Sequence, residues 1–296
     1  MIEYDLLTRN CRDKGKYKKI YDTRVALKKA GKKKEQAPYK IALNSTYGIC
    51  KDKYSKAYDP RQANNVCVNG QLLLLDLIEH LEEYIDLLQA NTDGIIYQVK
   101  KPEYEDKVKE VCNEWMERTG MGLGFDEIDW IVQRDVNSYI FKFSNGKYER
   151  KGAYLKELND LDYDLPIVNE AMVAYITEGR PVEDTINGCD ELIKFQKVVR
   201  VSSNYKVGWH NGEYLNDRTF RVFASKDHRD TYIGRAKTEG GSVEKFADTP
   251  INCFIDNSDV KSKSVPSKLD RNWYIRLAKD RLKNFGVSIE DEDRLF

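Results

Sequence analysis

An Asp93-Gly94 step lies between two apolar runs, residues 84–90 and 95–99, and this pattern is the strongest short-range hairpin signal that a sequence carries. It commits the stretch to antiparallel pairing around Asn91-Thr92-Asp93-Gly94. The flanks have helical period: residues 64–81 place Leu72, Leu75, Leu77, Ile78 and Leu81 on one face, and residues 104–117 form a second helix. Further strands are expected at 128–132, 138–143 and 152–155. Helix, hairpin, helix and strands together predict an α+β fold, an antiparallel sheet with helices packed on one face. Upstream, residues 4–45 form two basic helices broken at Gly31. Downstream of about Asp160, helices near 168–177 and 182–197 precede a mixed basic tail to Phe296.

Lys and Arg together number 49, as do Asp and Glu, so the net charge is zero and a uniformly basic nucleic-acid coat is excluded. The distribution is uneven. Residues 1–40 hold thirteen basic against five acidic side chains, whereas residues 76–129 hold five basic against fifteen acidic. A basic segment beside an acidic one suits an anionic ligand gripped by the first and a cation held by the second, although two solvated helical faces give the same counts. No apolar run reaches the ~18 residues of a membrane span, no secretory signal is visible, and six scattered cysteines without a CxxC pair fit a reducing cytoplasm.

Several patterns carry no chemistry. Gly120-Met121-Gly122-Leu123-Gly124 follows a helix and precedes a strand, the reverse of a dinucleotide loop. Asp160, Asp162 and Asp164 begin like a calcium loop, but Pro166 and Ala171 break it. His80, His210 and His228 have no partners at ligand spacing.

Two constellations remain. Lys40, Asn44 and Tyr47 fall at i, i+4 and i+7 and share a helix face; Arg24 and Lys28 share a face on the preceding helix. Converging on one groove, these groups would suit a triphosphate, with Tyr47 presenting a ring to a base or sugar. An ordinary amphipathic helix with Gly48 as its stop is the alternative. The second constellation is Asp93, a carboxylate on a rigid hairpin, where a magnesium ion for phosphoryl transfer finds an oxygen ligand.

In this order the residues resemble a known family. Lys40, three residues, then Asn44-Ser45-Thr46-Tyr47-Gly48 is similar to motif B of the family B (polymerase alpha-like) DNA polymerases. The hairpin resembles motif C, whose usual form is Asp-Thr-Asp-Ser. Asp135-Val136-Asn137-Ser138-Tyr139-Ile140 and Lys151-Gly152-Ala153-Tyr154 resemble the palm segment at the primer–template junction, and the tail from Leu165 is similar to the thumb of phage and prophage members.

The resemblance implies partial fingers over residues 1–48, a palm over 49–158 and a thumb-like DNA-binding region over 159–296. It implies primer–template DNA and dNTPs as partners and Mg²⁺, or Mn²⁺, as cofactor. Lys40 and Asn44 would contact the incoming triphosphate, with Arg24 or Lys28 as a second basic contact; Thr92 would lie against the nucleotide and Tyr47 against the nascent base pair. Asp93 would be the catalytic, metal-binding aspartate, while Tyr139, Asn137 and Lys151 would touch DNA. Arg218, Arg221, Lys226 and Arg229 would grip phosphates. Asn91 stands where the first motif C aspartate is usual, Gly94 where the serine is, and Asn137 where many members carry lysine. No motif A and no exonuclease motif is present. The expectation is therefore a C-terminal polymerase portion, inactive without an N-terminal segment bearing motif A, in a bacterial host cytoplasm. The alternatives are a non-catalytic duplex-binding module and, lacking an aromatic RNP1 pattern, an RRM-like RNA binder.

Overall fold

The computed structural model of the chain describes residues 1–159 and 162–289; Asp160, Leu161 and residues 290–296, which include the end of the expected thumb, lie outside the described residues. The fold is α+β, and the chain divides into two compact units, Met1–Phe125 and Asp126–Phe296.

The first unit opens with α1 (Lys14–Lys29), capped by the Asp13 carboxylate on the Lys16 amide, and α2 (Lys33–Lys51). A three-residue connection with Gly31 at φ +71° folds them into an antiparallel pair. Gly48 does not stop α2, which runs on to Lys51; nothing after Gly48 breaks its hydrogen bonds until Asp52 turns extended. Asp59 and Pro60 then start α3 (Pro60–Leu81), with the carboxylate on the Gln62 amide and proline at a position that needs no N–H. The hairpin β1 (Ile85–Asn91) and β2 (Gly94–Val99) follows, and then α4 (Glu105–Thr119), which ends at left-handed Gly120.

Leu77 and Leu81 of α3 pack with Ile85 of β1 and with Val108, Val111, Cys112 and Trp115 of α4. The Trp115 indole donates to the Leu73 carbonyl at 3.1 Å, and Arg118 donates twice to Asp76. These contacts turn α3 so that Leu73, Leu77 and Leu81 face inward. Leu72 and Leu75, expected on the apolar face, are 58% and 48% exposed.

The second unit begins with a meander of β3 (Ile128–Asp135), β4 (Ser138–Phe143) and β5 (Tyr148–Lys151). The third strand thus precedes the expected 152–155, which forms a turn because Gly152 takes φ +97° and its carbonyl accepts from Leu155 and Lys156. Next come α5 (Pro166–Glu178) and α6 (Val182–Gly188). The expected helix over 182–197 ends at Gly188; Leu192–Phe195 is a short 3₁₀ turn.

The tail is richer in strand than expected. It holds β6 (Lys197–Arg200), β7 (Val207–His210), β8 (Glu213–Leu215), β9 (Thr219–Ala224), β10 (Gly234–Ala236), β11 (Val243–Lys245) and β12 (Cys253–Ile255) before α7 (Arg271–Asn284). These make two antiparallel sheets, ordered β12-β9-β6 and β11-β10-β7-β8. The main core joins α5, α6 and α7 to β9 and β12. At its centre, buried Tyr274 accepts from the Ala224 amide and donates to the Phe195 carbonyl; burial drives its pKa upward.

Candidate functional site

In the first unit Arg24 donates to Gln36 at 3.3 Å, which pins the middle of α1 onto α2. Lys40 follows Gln36 by four residues, so Arg24 and Lys40 lie roughly 6 Å apart along the pair, one helical turn. Lys28 lies a further turn away on the other side of Arg24, about 12 Å from Lys40 on the same measure. Lys28, Lys40 and Asn44 are exposed and Arg24 is half-buried. The structure thus offsets Arg24 from Lys40 by one turn along the pair and sets Lys28 towards the connection. Continuity of α2 keeps Lys40, Asn44 and Tyr47 on one face.

Tyr47 is tied at both ends. Its hydroxyl meets the Cys67 sulfur on α3 at 2.8 Å, and the Lys51 ammonium sits 4.6 Å from its ring centre. The ring is held by α3 as well as α2. Below it, Arg9 clamps Asp59: the guanidinium donates at 2.8 and 2.9 Å and the Arg9 amide at 2.9 Å. With the Gln62 amide as a further donor, these bonds hold the Asp59 carboxyl, 2% exposed, well below the usual carboxylate range. Nothing local in the sequence announces this pair, because its members are fifty residues apart.

The motif C-like hairpin forms, with a different turn from the one expected. Asn91 pairs with Gly94, so the loop is Thr92-Asp93 and Gly94 is the first residue of β2. The left-handed position falls on Thr92, at φ +37°, and not on the glycine. A β-branched residue there costs ~1–3 kcal/mol and persists only where its surroundings impose it. Here α3 and α4, packed against Ile85, Ile95, Tyr97 and Val99, fix the strands that impose it. The Thr92 hydroxyl donates to the Asn91 side chain at 3.0 Å, and Asp93 is exposed at the tip.

A hard divalent cation suits an exposed aspartate that shares it with phosphate oxygens. Asp93 fits as one such ligand. Asp86 is five residues back along β1 from Asn91, roughly 17 Å, and cannot join it. Among the described residues no three His, Cys, Asp or Glu side chains gather as a metal site.

The second unit gathers the expected DNA contacts at one corner. Val136 and Asn137 form the two-residue loop between β3 and β4, and Asp135 accepts from the Asn137 amide at 2.9 Å and from Arg134 at 2.9 Å. Both bonds lower the Asp135 pKa. Tyr139 pairs with Lys151 across β4 and β5, with the ammonium 5.9 Å from the ring centre. Gly152 passes so close to the loop that a Cβ would lie 2.7 Å from the Asn137 carbonyl oxygen. Asn137 and Lys151 are exposed, whereas Tyr139 is buried, stacked on Phe141 and bonded to Glu149 at 3.2 Å.

The tail arginines are bonded within the chain, Arg218 and Arg221 across loops and Arg229 to a near neighbour. Arg218 donates to the carbonyls of Val201, Ser202 and Tyr205, and Arg221 to Gln196 and the carbonyls of Asp256 and Ser258. Arg229 is paired with Asp227 at 2.6 Å. Of the four cations expected to grip phosphates, Lys226 alone makes no ion pair or side-chain hydrogen bond among the described residues.

No protein-family model matches the chain. Two curated proteins resemble it: DNA polymerase 1 of Sulfurisphaera ohwakuensis, 23% identical over 197 residues, and DNA polymerase 1 of Saccharolobus solfataricus, 24% identical over 196 residues. Each similarity covers 64% of this chain and 21% of the relative. The chain therefore spans about a fifth of the length of the curated relatives it matches. This distant similarity supports a relationship to DNA polymerases.

Proposed function

We propose that the chain is the C-terminal portion of a family B DNA-directed DNA polymerase of phage or prophage type, with fingers over 1–48, palm over 49–158 and thumb over 159–296. The observation that carries this reading is Asp93, held exposed at the tip of a two-residue hairpin by a strained Thr92, in a chain similar to two DNA polymerases. Such a carboxylate is a pre-positioned oxygen ligand. Lys40, with Arg24 one turn away, would neutralise a triphosphate and Asn44 would donate to it. Asn137 and Lys151 would meet the primer–template backbone. Tyr47, fixed by Cys67 and Lys51, would hold the nascent pair against one wall, and Thr92 would contact the nucleotide.

Magnesium, when bound, would supply Lewis-acid activation of the primer hydroxyl and charge stabilisation for the departing pyrophosphate. Asp93 is the residue of this chain that would hold it. The second carboxylate of a two-metal site would come from a segment bearing motif A.

The test is primer extension by the chain alone and after addition of the N-terminal portion of a single-chain relative. The expected result is no extension by the chain alone, extension on complementation, and loss on Asp93→Asn. A complemented Asp93→Asn enzyme of full activity would refute the assignment. Duplex binding that never converts to extension with any complement would favour a non-catalytic duplex-binding module, a reading supported by the single carboxylate at the hairpin tip.

A further inference from the structure

In the second unit a groove of about 630 Å³ opens between the loop after β9, the turn before β12 and the first turns of α7. Lys226, His228, Ile251, Asn252, Trp273 and Arg276 line it. We propose that this groove binds single-stranded polynucleotide, taking one unstacked base against Trp273 and the flanking phosphates on Lys226 and Arg276. The inference stands on the second unit alone and does not rest on the polymerase reading.

The buried hydroxyls of the groove are already spent. Ser225 donates to Asp230 at 2.6 Å and Thr249 to the Phe246 carbonyl at 2.7 Å. Asp270, the acid at its floor, caps α7 through the Asn272 amide at 3.1 Å and lies 3.7 Å from Arg276. What remains to meet a ligand is cationic, amide-bearing and aromatic. Lys226 and Arg276 are exposed, and the side-chain amides of Asn252 and Asn272 make no hydrogen bond among the described residues.

Trp273 is half-buried, braced edge-to-face by Tyr274 at 4.9 Å, and so presents its ring as a rigid platform. Beside it Ile251 is 74% exposed, an apolar contact at the rim that a flat hydrophobic group would cover. Stacking platform, apolar rim and surrounding cations form the combination that binds single strands irrespective of sequence. A duplex would use the cations but not the platform, because its bases are already stacked. The volume lies within the range of small-ligand sites and suits one splayed-out base with its sugar.

The experiment uses the full chain with fluorescent ten-nucleotide dT and rU strands, read by anisotropy over a range of salt, and a dT strand bearing one 5-iodouracil for photo-crosslinking. The crosslink should map to the peptide containing Trp273. Trp273→Leu should abolish it and weaken single-strand binding roughly ten-fold, whereas Trp273→Phe keeps a ring and stays close to wild type. Lys226→Gln and Arg276→Gln should each flatten the slope of log affinity against log salt by about 0.7, a measure that does not depend on Trp273→Leu folding. Comparison of dT with rU tells DNA from RNA; either as the preferred strand supports the proposal. Crosslinks confined to other peptides, unchanged salt slopes in the two cation variants, or a duplex competing as well as the single strand would each overturn it. Absence of crosslinking together with capture of a peptide by the groove would make it a protein-docking surface and also overturn the proposal.

Discussion

Replacing Gly152 by alanine tests the corner that joins Asn137 to Lys151. The residue sits at φ +97°, where an L side chain is strained, and the added Cβ would meet the Asn137 carbonyl oxygen at 2.7 Å and Ser138 Cα at 2.9 Å. Both neighbours are backbone atoms. Asn137 is fixed by its amide on Asp135, and Ser138 is paired with Asp135 at the start of β4. Gly152 is itself held through its carbonyl, which accepts from Leu155 and Lys156. Relief therefore requires a shift of the strand end or of the turn. The backbone conformation alone costs about 1 kcal/mol and the overpacking about 1–3 kcal/mol, so Gly152→Ala should lose roughly 2–4 kcal/mol. Gly146→Ala is the internal control: its φ is +82° but nothing lies within 4 Å of the new Cβ, so it pays for the backbone only. Urea unfolding of both variants, followed through Trp fluorescence of the second unit, gives the clash as the difference between them. If Gly152→Ala costs no more than Gly146→Ala, the close approach does not exist in solution and the corner is not rigid.

The Arg9 clamp holds Asp59 ionised below its ordinary range, so its stabilisation is complete above the unfolded carboxyl value of ~3.9 and fades as pH falls further. Thermal melts should show a gap between wild type and Asp59→Asn at neutral pH that narrows in acid; a constant gap would refute the coupling. Thr92→Gly should stabilise the first unit by about 1 kcal/mol in chemical denaturation by relieving the positive φ, while Gly94→Ser, whose Cβ meets nothing within 4 Å, stays within ~0.5 kcal/mol of wild type. A destabilised Thr92→Gly would show that the threonine is not strained. In the complemented polymerase, Lys40→Ala should raise the KM for dNTP and leave duplex affinity unchanged. The opposite pattern in steady-state kinetics and anisotropy would move Lys40 onto the nucleic-acid backbone.

The hairpin was legible because its signal is local: alternating apolar residues around a polar tip. Its turn was not, because the pairing of Asn91 with Gly94 is imposed by the packing behind the strands, and that packing places the strain on Thr92. The run Leu72 to Leu75 could face its core in several ways, and only the partner helix α4, through Trp115 on the Leu73 carbonyl, decides between them. Strands β6 to β12 leave no readable pattern because they span three to six residues, too few for a period, and pair at a distance, as Cys253 does with Ala224. For the site, helical spacing alone put Lys40, Asn44 and Tyr47 on one face. That Arg218 and Arg221 would be spent on carbonyls depends on loops that only the fold brings to them.

The hold of α3 on Tyr47 has a practical chemical consequence. Thiolates, not thiols, attack alkylating reagents. Burial pushes the Cys253 thiol up to about 12 and raises those of Cys50 and Cys112, so these three stay inert at neutral pH. Cys67, in contact with the Tyr47 hydroxyl, is exposed on the surface of α3. With the half-buried Cys11 and Cys189 replaced by serine, a maleimide dye or nitroxide spin label offered briefly to the native protein enters there ahead of the buried sulfurs. The reporter then stands against the ring proposed to meet the nascent base pair, with the inert thiols left in place.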